Sequence, residues 1–147
     1  MAEQTFTFSV GEHEIHLSME SPKEGSVLFE QLNPWSDKRC ASLIPIDQFR
    51  ADMKALIPDH IEEEDLDKTL YPCLLKTLAT HVKSYGQLAD ADYCAYMNYF
   101  YLIRHQLALK TGAEPISEQD QKGAMLGFHQ WLKEQDFPVE RTNLRSF

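Results

Sequence analysis

Glu62, Glu63, Glu64 and Asp65 stand in a row, with His60 just before them and Asp67 just after. Carboxylates beside a histidine are the raw material of a hard-cation site or of an acid–base pair. Such a site needs its oxygens to converge, and consecutive residues on a helix fan around the axis instead. The same run has a plainer chemistry. A helix N-terminus presents unpaired N–H groups and positive potential, which acidic side chains offset. Asp59 followed by Glu62 has the spacing of an approximate capping box. The stretch therefore reads first as the start of a helix and second as acidic bait for a basic partner.

The other reactive types are scattered. His13 and His16 are three apart, so in a strand they fall on opposite faces and do not converge on a metal. Cys40 follows Lys38 and Arg39, cations that would lower its pKa, but no base accompanies it. His81 falls on an apolar helical face, where a hydrogen-bonded core histidine is expected. No Walker-type phosphate loop, G-x-G-x-x-G, G-x-S-x-G, H-E-x-x-H or Glu-x-x-His occurs. Cys40, Cys73 and Cys94 are odd in number and form no C-x-x-C, which argues against a disulfide framework or a zinc ribbon. Neither a cofactor nor a metal is expected.

The elements that carry these residues can be outlined. Phe6, Phe8 and Val10 alternate, as do Ile15, Leu17 and Met19, with Gly11-Glu12-His13 between them. That is a hairpin over 4–20. Val27, Leu28 and Leu32 suggest a short helix over 24–32, stopped at Asn33-Pro34. PWSDKRC reads as loop and 42–44 as extended. Ile46, Phe49, Met53, Leu56 and Ile57 have helical spacing, ended by Pro58. A second helix carries Leu66, Leu70, Cys73, Thr77 and His81, with Leu74 beside them. Pro72 either kinks it or begins another helix. Gly86 ends this element. Asp90 or Asp92 caps the next, over 93–110, which Gly112 closes. Ser117 and Asp120 open a last helix to about Gln135, with Met125, Phe128, Trp131 and Leu132 as its stripe. An irregular tail follows over 137–147.

ADYCAYMNYFYLIRHQLAL is apolar on too many sides for a surface helix. Tyr93, Tyr96, Phe100, Ile103 and Leu107 share one face, Leu102 and Leu109 lie opposite, and Tyr99 and Tyr101 flank the stripe. Such a helix is either central to the core or part of an interface. Tyrosines suit an interface, because a ring gives contact area at low entropy cost while its hydroxyl keeps the free surface wettable. Tyr99, Tyr101 and Leu102, with the acidic Glu62, Glu63, Glu64 and Asp65, are the candidate partner-binding residues.

The whole chain sets bounds on function. Its 147 residues fit one domain, and 43% apolar content suits a folded core. No apolar run approaches the ~18 residues of a membrane span, and MAEQTFTF lacks the marks of a signal peptide. A net charge of −9 repels polyanions and anionic membranes, so direct nucleic-acid binding is not expected. It leaves a basic or aggregation-prone protein, or a second copy of the chain, as partner. The compartment expected is the cytoplasm, with thiols reduced.

TFTFSVGEHEIHLSM, a short helix ending in QLNP, and the polar loop SDK resemble small phage tail assembly chaperones over about residues 4–40. The resemblance implies a two-stranded hairpin followed by helices, and the binding of an aggregation-prone tail protein without catalysis. Taken together, the expectation is an α+β, mainly helical fold, with an N-terminal β-hairpin packed on four to five helices over 24–136. Its function would be non-enzymatic protein binding, as a chaperone, inhibitor or immunity-type factor. A mimic of nucleic-acid phosphates, a small metal or acid–base enzyme using His60 and the Glu62–Asp65 run, and a structural subunit are the alternatives.

Overall fold

The computed structural model describes residues 2–58, 66–85 and 90–135. The alternating N-terminus forms strands β1 (Ala2–Val10) and β2 (His13–Ser21), paired antiparallel with Val10 opposite His13. The turn has positive φ at Gly11 and none at Glu12, the pattern of a type II′ hairpin, which needs glycine at its first central position. Phe6, Phe8, Val10, Ile15 and Leu17 face inward and are buried.

The expected helix over 24–32 is not one. Residues 26–32 are strand β3 (Ser26–Leu32), antiparallel to β4 (Arg39–Pro45). Val27 and Phe29 are buried and Leu28 only partly so, a period of two rather than 3.6. Phe29 decides the matter: its ring stacks on Tyr99 at 4.6 Å and approaches Phe49 at 6.4 Å, positions a helix phase would not give it. The helix that the phage-chaperone resemblance places before QLNP is thus a strand here. The stretch 24–136, expected as a helix bundle with a loop at PWSDKRC, opens with a second hairpin, and the extended segment foreseen at 42–44 lies within β4. Asn33 organises the loop between these strands. Its Oδ1 accepts from the Trp35 N–H at 2.9 Å and its C=O from the Asp37 N–H at 2.9 Å.

Helix α1 (Ile46–Leu56) buries Phe49, Met53 and Leu56, and Pro58 follows it. Helix α2 (Leu66–Tyr85) runs continuously through Pro72, so that residue neither breaks it nor starts a second helix. Its buried stripe is Leu66, Leu70, Leu74 and Leu78. The expected cap at Asp59 and end at Gly86 lie outside the described residues, as does the tail over 137–147. Helix α3 (Asp90–Thr111) closes where expected, with φ of +79° at Gly112 and its N–H bonded to the Ala108 carbonyl. A single 3₁₀ turn (Glu118–Asp120) leads into α4 (Gln121–Glu134), and Ser117 Oγ accepts from the Asp120 N–H as the sequence implies.

The fold is α+β and mainly helical, and α3 is its axis. Both hairpins and the helices α1, α2 and α4 pack on it. Tyr93, Met97, Phe100, Ile103 and Leu107 are fully or almost fully buried along its length. Phe100 stacks on Phe128 of α4 at 5.3 Å, and Tyr71 of α2 touches both rings. Among the described residues, no helix is long and apolar enough to cross a membrane.

Candidate partner-binding site

Tyr99 does not belong to a surface. It is 2% exposed, stacked on Phe29 and edge-on to Phe49, because α3 is the central helix and this side of it meets β3 and α1. Its hydroxyl donates to the Asp52 carboxylate of α1. Burial, and then the nearby Asp52 charge, push the phenol far above its usual range. A tyrosine, rather than a phenylalanine, fits here because Asp52 gives the hydroxyl a partner.

Tyr101 and Leu102 stand apart from Tyr99. Both are half-buried, and both line a cleft of about 460 Å³. The cleft lies among β2, β3 and α3, with Met19, Leu28, Tyr101 and Leu102 as its apolar lining. Glu20, Glu30, Glu118 and Arg39 supply its charges. Three carboxylates against one guanidinium leave it acidic. The Tyr101 hydroxyl donates to the Ile116 carbonyl at 3.3 Å, and burial raises its pKa. His105, another lining residue, holds Nδ1 3.0 Å from the same carbonyl oxygen. A carbonyl only accepts, so Nδ1 carries the hydrogen.

One wall of the cleft is fixed by a buried polar network that the sequence reading did not single out. Asn98, 1% exposed, accepts at Oδ1 from the Leu32 N–H (3.0 Å) and from Gln121 Nε2 (3.0 Å). Its Nδ2 donates to the Leu32 carbonyl (3.0 Å) and the Cys94 carbonyl (2.8 Å). Gln121 Oε1 in turn accepts from Arg39 at 3.4 Å, and Arg39 reaches Glu118 at 4.0 Å. An asparagine in the middle of an apolar helix was the available signal, since a buried amide must find partners.

The remaining candidates do not join this site. Glu62, Glu63, Glu64, Asp65 and His60 lie outside the described residues. His13 is half-buried and His16 exposed on opposite faces of β2, with His16 Nδ1 3.1 Å from Thr7 Oγ1. His81 is half-buried, 3.6 Å from Asp92 and 3.4 Å from the Tyr96 hydroxyl. Cys40 is exposed, and partial desolvation raises its pKa rather than lowering it. The reason is the strand: Arg39 points to the opposite face and is engaged by Gln121 and Glu118. Among the described residues, no group of three or more His, Cys, Asp or Glu is placed to hold a metal ion. A second, more open hollow of about 680 Å³ lies around 114–126 and includes Arg104, whose Nε bonds Asp67 at 3.1 Å. Leu109 is 58% exposed, well along α3 from Leu102.

Compared with known proteins, the chain matches no protein-family model, no curated protein and no solved structure.

Proposed function

We propose that this protein is a non-enzymatic binding factor for another protein, of the chaperone, inhibitor or immunity type. The observation that carries the reading is the cleft itself: an apolar lining from Met19, Leu28, Tyr101 and Leu102, edged by Glu20, Glu30 and Glu118. Apolar contacts beside polar groups and a charged edge are the usual anatomy of a protein-recognition site, with the apolar part supplying affinity and the charges orientation. The net charge of −9 favours a basic partner and fast, salt-sensitive encounter. A phage tail assembly chaperone is one specific version of this activity.

The test is affinity capture from host lysate with two baits, the native chain and Leu102→Asp, each at low and high salt. A stoichiometric protein held by the first bait and lost from the second supports the cleft as its site. Equal capture by both baits, or none by either, refutes it.

A further inference from the structure

Among the described residues each sheet has two strands, and no ladder joins β2 to β3 although they are consecutive and in contact. The cleft lies where that ladder is missing. It is lined by Ser18, Met19 and Glu20 of β2 and by Leu28, Phe29 and Glu30 of β3. Three consecutive residues from each strand are a mark of an edge, because a face would present alternate residues only.

The backbone groups at these edges can be assigned. In a two-residue hairpin the closing pair, Val10 and His13, exchanges both bonds, and bonding pairs then alternate. Leu17 and Met19 therefore bond to β1, and the N–H and C=O of Ser18 and Glu20 face the other way. In the second hairpin the flanking bonds Asn33 N–H to Lys38 O and Ile46 N–H to Gly25 O fix the phase. Val27, Phe29 and Gln31 bond to β4, and Ser26, Leu28, Glu30 and Leu32 face away. At Leu32 the outward pair is met by Asn98, whose side-chain amide accepts from the N–H and donates to the C=O as a neighbouring strand would. At Ser26 the outward N–H bonds the Lys23 carbonyl and the C=O accepts from Ser21 Oγ at 2.6 Å. Among the described residues, the edge of β3 is thus closed at both ends and open at Leu28 and Glu30, beside the open Ser18 and Glu20.

We propose that the cleft receives one extended segment of a basic partner protein, inserted between β2 and β3. This rests on the binding reading above and gives its mode. The inserted strand would part β2 from β3, now in contact, until it lay about 4.8 Å from each edge, and would join the two hairpins into one five-stranded sheet. Its backbone would pair with Ser18, Glu20, Leu28 and Glu30. Its apolar side chains would meet Tyr101 and Leu102 on one side, and its cationic ones would meet Glu20 and Glu30. Charge selects the occupant, since Arg39 is engaged with Glu118 and Gln121, which leaves the Glu20 and Glu30 carboxylates in excess along the described lining.

The probe is a five-residue peptide alternating lysine and valine, blocked at both ends, titrated into the full chain while amide exchange is followed by NMR. In the free protein the amides of Ser18, Glu20, Leu28 and Glu30 should exchange fast, between slow neighbours at Leu17, Met19 and Phe29. Saturating peptide should slow those four by about tenfold or more. The same peptide methylated at its backbone nitrogens should not. The double variant Glu20→Lys/Glu30→Lys changes two exposed side chains, and it should prefer the glutamate–valine peptide instead. The proposal is overturned if the four amides are already slow without peptide, if the peptide protects none of them, or if charge reversal leaves the preference unchanged. A captured partner that depends on Leu102 but leaves the four amides unprotected would keep the binding reading and refute strand insertion.

Discussion

Replacing Asn98 by leucine keeps the volume of the side chain and removes its amide. Four hydrogen bonds of 2.8–3.0 Å are lost together. The acceptors suffer least: the Leu32 carbonyl still receives the Cys94 thiol at 3.3 Å, and the Cys94 carbonyl keeps its place in the helix ladder. The donors are stranded. The Leu32 N–H and Gln121 Nε2 each face an apolar group, at about 1–3 kcal/mol for a buried unsatisfied donor. Gln121 borders the cleft and water can reach it in part, so the lower half of that range applies. The expected loss is about 2–5 kcal/mol. In a chain of this size that lowers the melting temperature by about 5–15 °C. Urea unfolding checks it, with the midpoint falling and the slope unchanged. The companion Asn98→Asp retains an acceptor for Leu32 N–H but turns lone pairs toward the Leu32 carbonyl. Burial would raise the pKa of the new carboxyl above its unfolded value. Its stability should therefore be best in acid and decline as pH rises from about 4 through the folded pKa. A leucine variant within about 0.5 kcal/mol of the native chain would refute the reasoning, since it would mean that the edge of β3 needs no partner there.

Tyr99→Ala should cost about 3–5 kcal/mol by opening the space between Phe29 and Phe49, whereas Leu102→Ser should cost about 1 kcal/mol because its side chain is already part-solvated; chemical denaturation of the two separates a core residue from a cleft residue. Asp52 has a carboxyl pKa raised mainly by desolvation, so its native form binds a proton more tightly than the unfolded chain does. It subtracts stability as pH rises from the unfolded value upward, and Asp52→Asn should flatten the thermal-stability profile across that acidic window. A chromogenic disulfide at pH 8 should label Cys40 first, though more slowly than a free thiol, then the half-buried Cys73. Cys94, buried and with its pKa pushed up to about 12, should react only after unfolding.

Legibility in the sequence tracked how locally each signal is written. The first hairpin could be read because Phe6, Phe8, Val10, Ile15 and Leu17 alternate on a buried face and Gly11 fits the turn. The second could not, because β4 is exposed along most of its length and shows no alternation. Val27, Leu28 and Leu32 also happen to suit a helical wheel. The excess apolar surface of α3 was visible, but it fitted either a central helix or an interface, and only the packing decides for the first. Which of its tyrosines faced outward was not visible, since that depends on where β3 packs. Tyr101 and Leu102 kept their place at a candidate site, and Tyr99 lost it to the core. Met19, Leu28, Arg39 and Glu118 come together only through tertiary contact, and nothing in their own neighbourhoods announces a cleft.

The clasp of Asn98 on Leu32 spans 66 residues of chain. A ribosome makes residues in order, at about 5–20 per second. For roughly 3–13 s after Leu32 is joined, the residue that will cover its edge has not been synthesised. Both hairpins emerge in that interval with their aromatic faces uncovered, since Phe29 awaits Tyr99 and Phe6 awaits Phe49. The N-terminal third is therefore born with sticky edges and acquires its cover late. The open stretch at Leu28 and Glu30 is the part of that nascent edge which no described residue of the finished molecule closes.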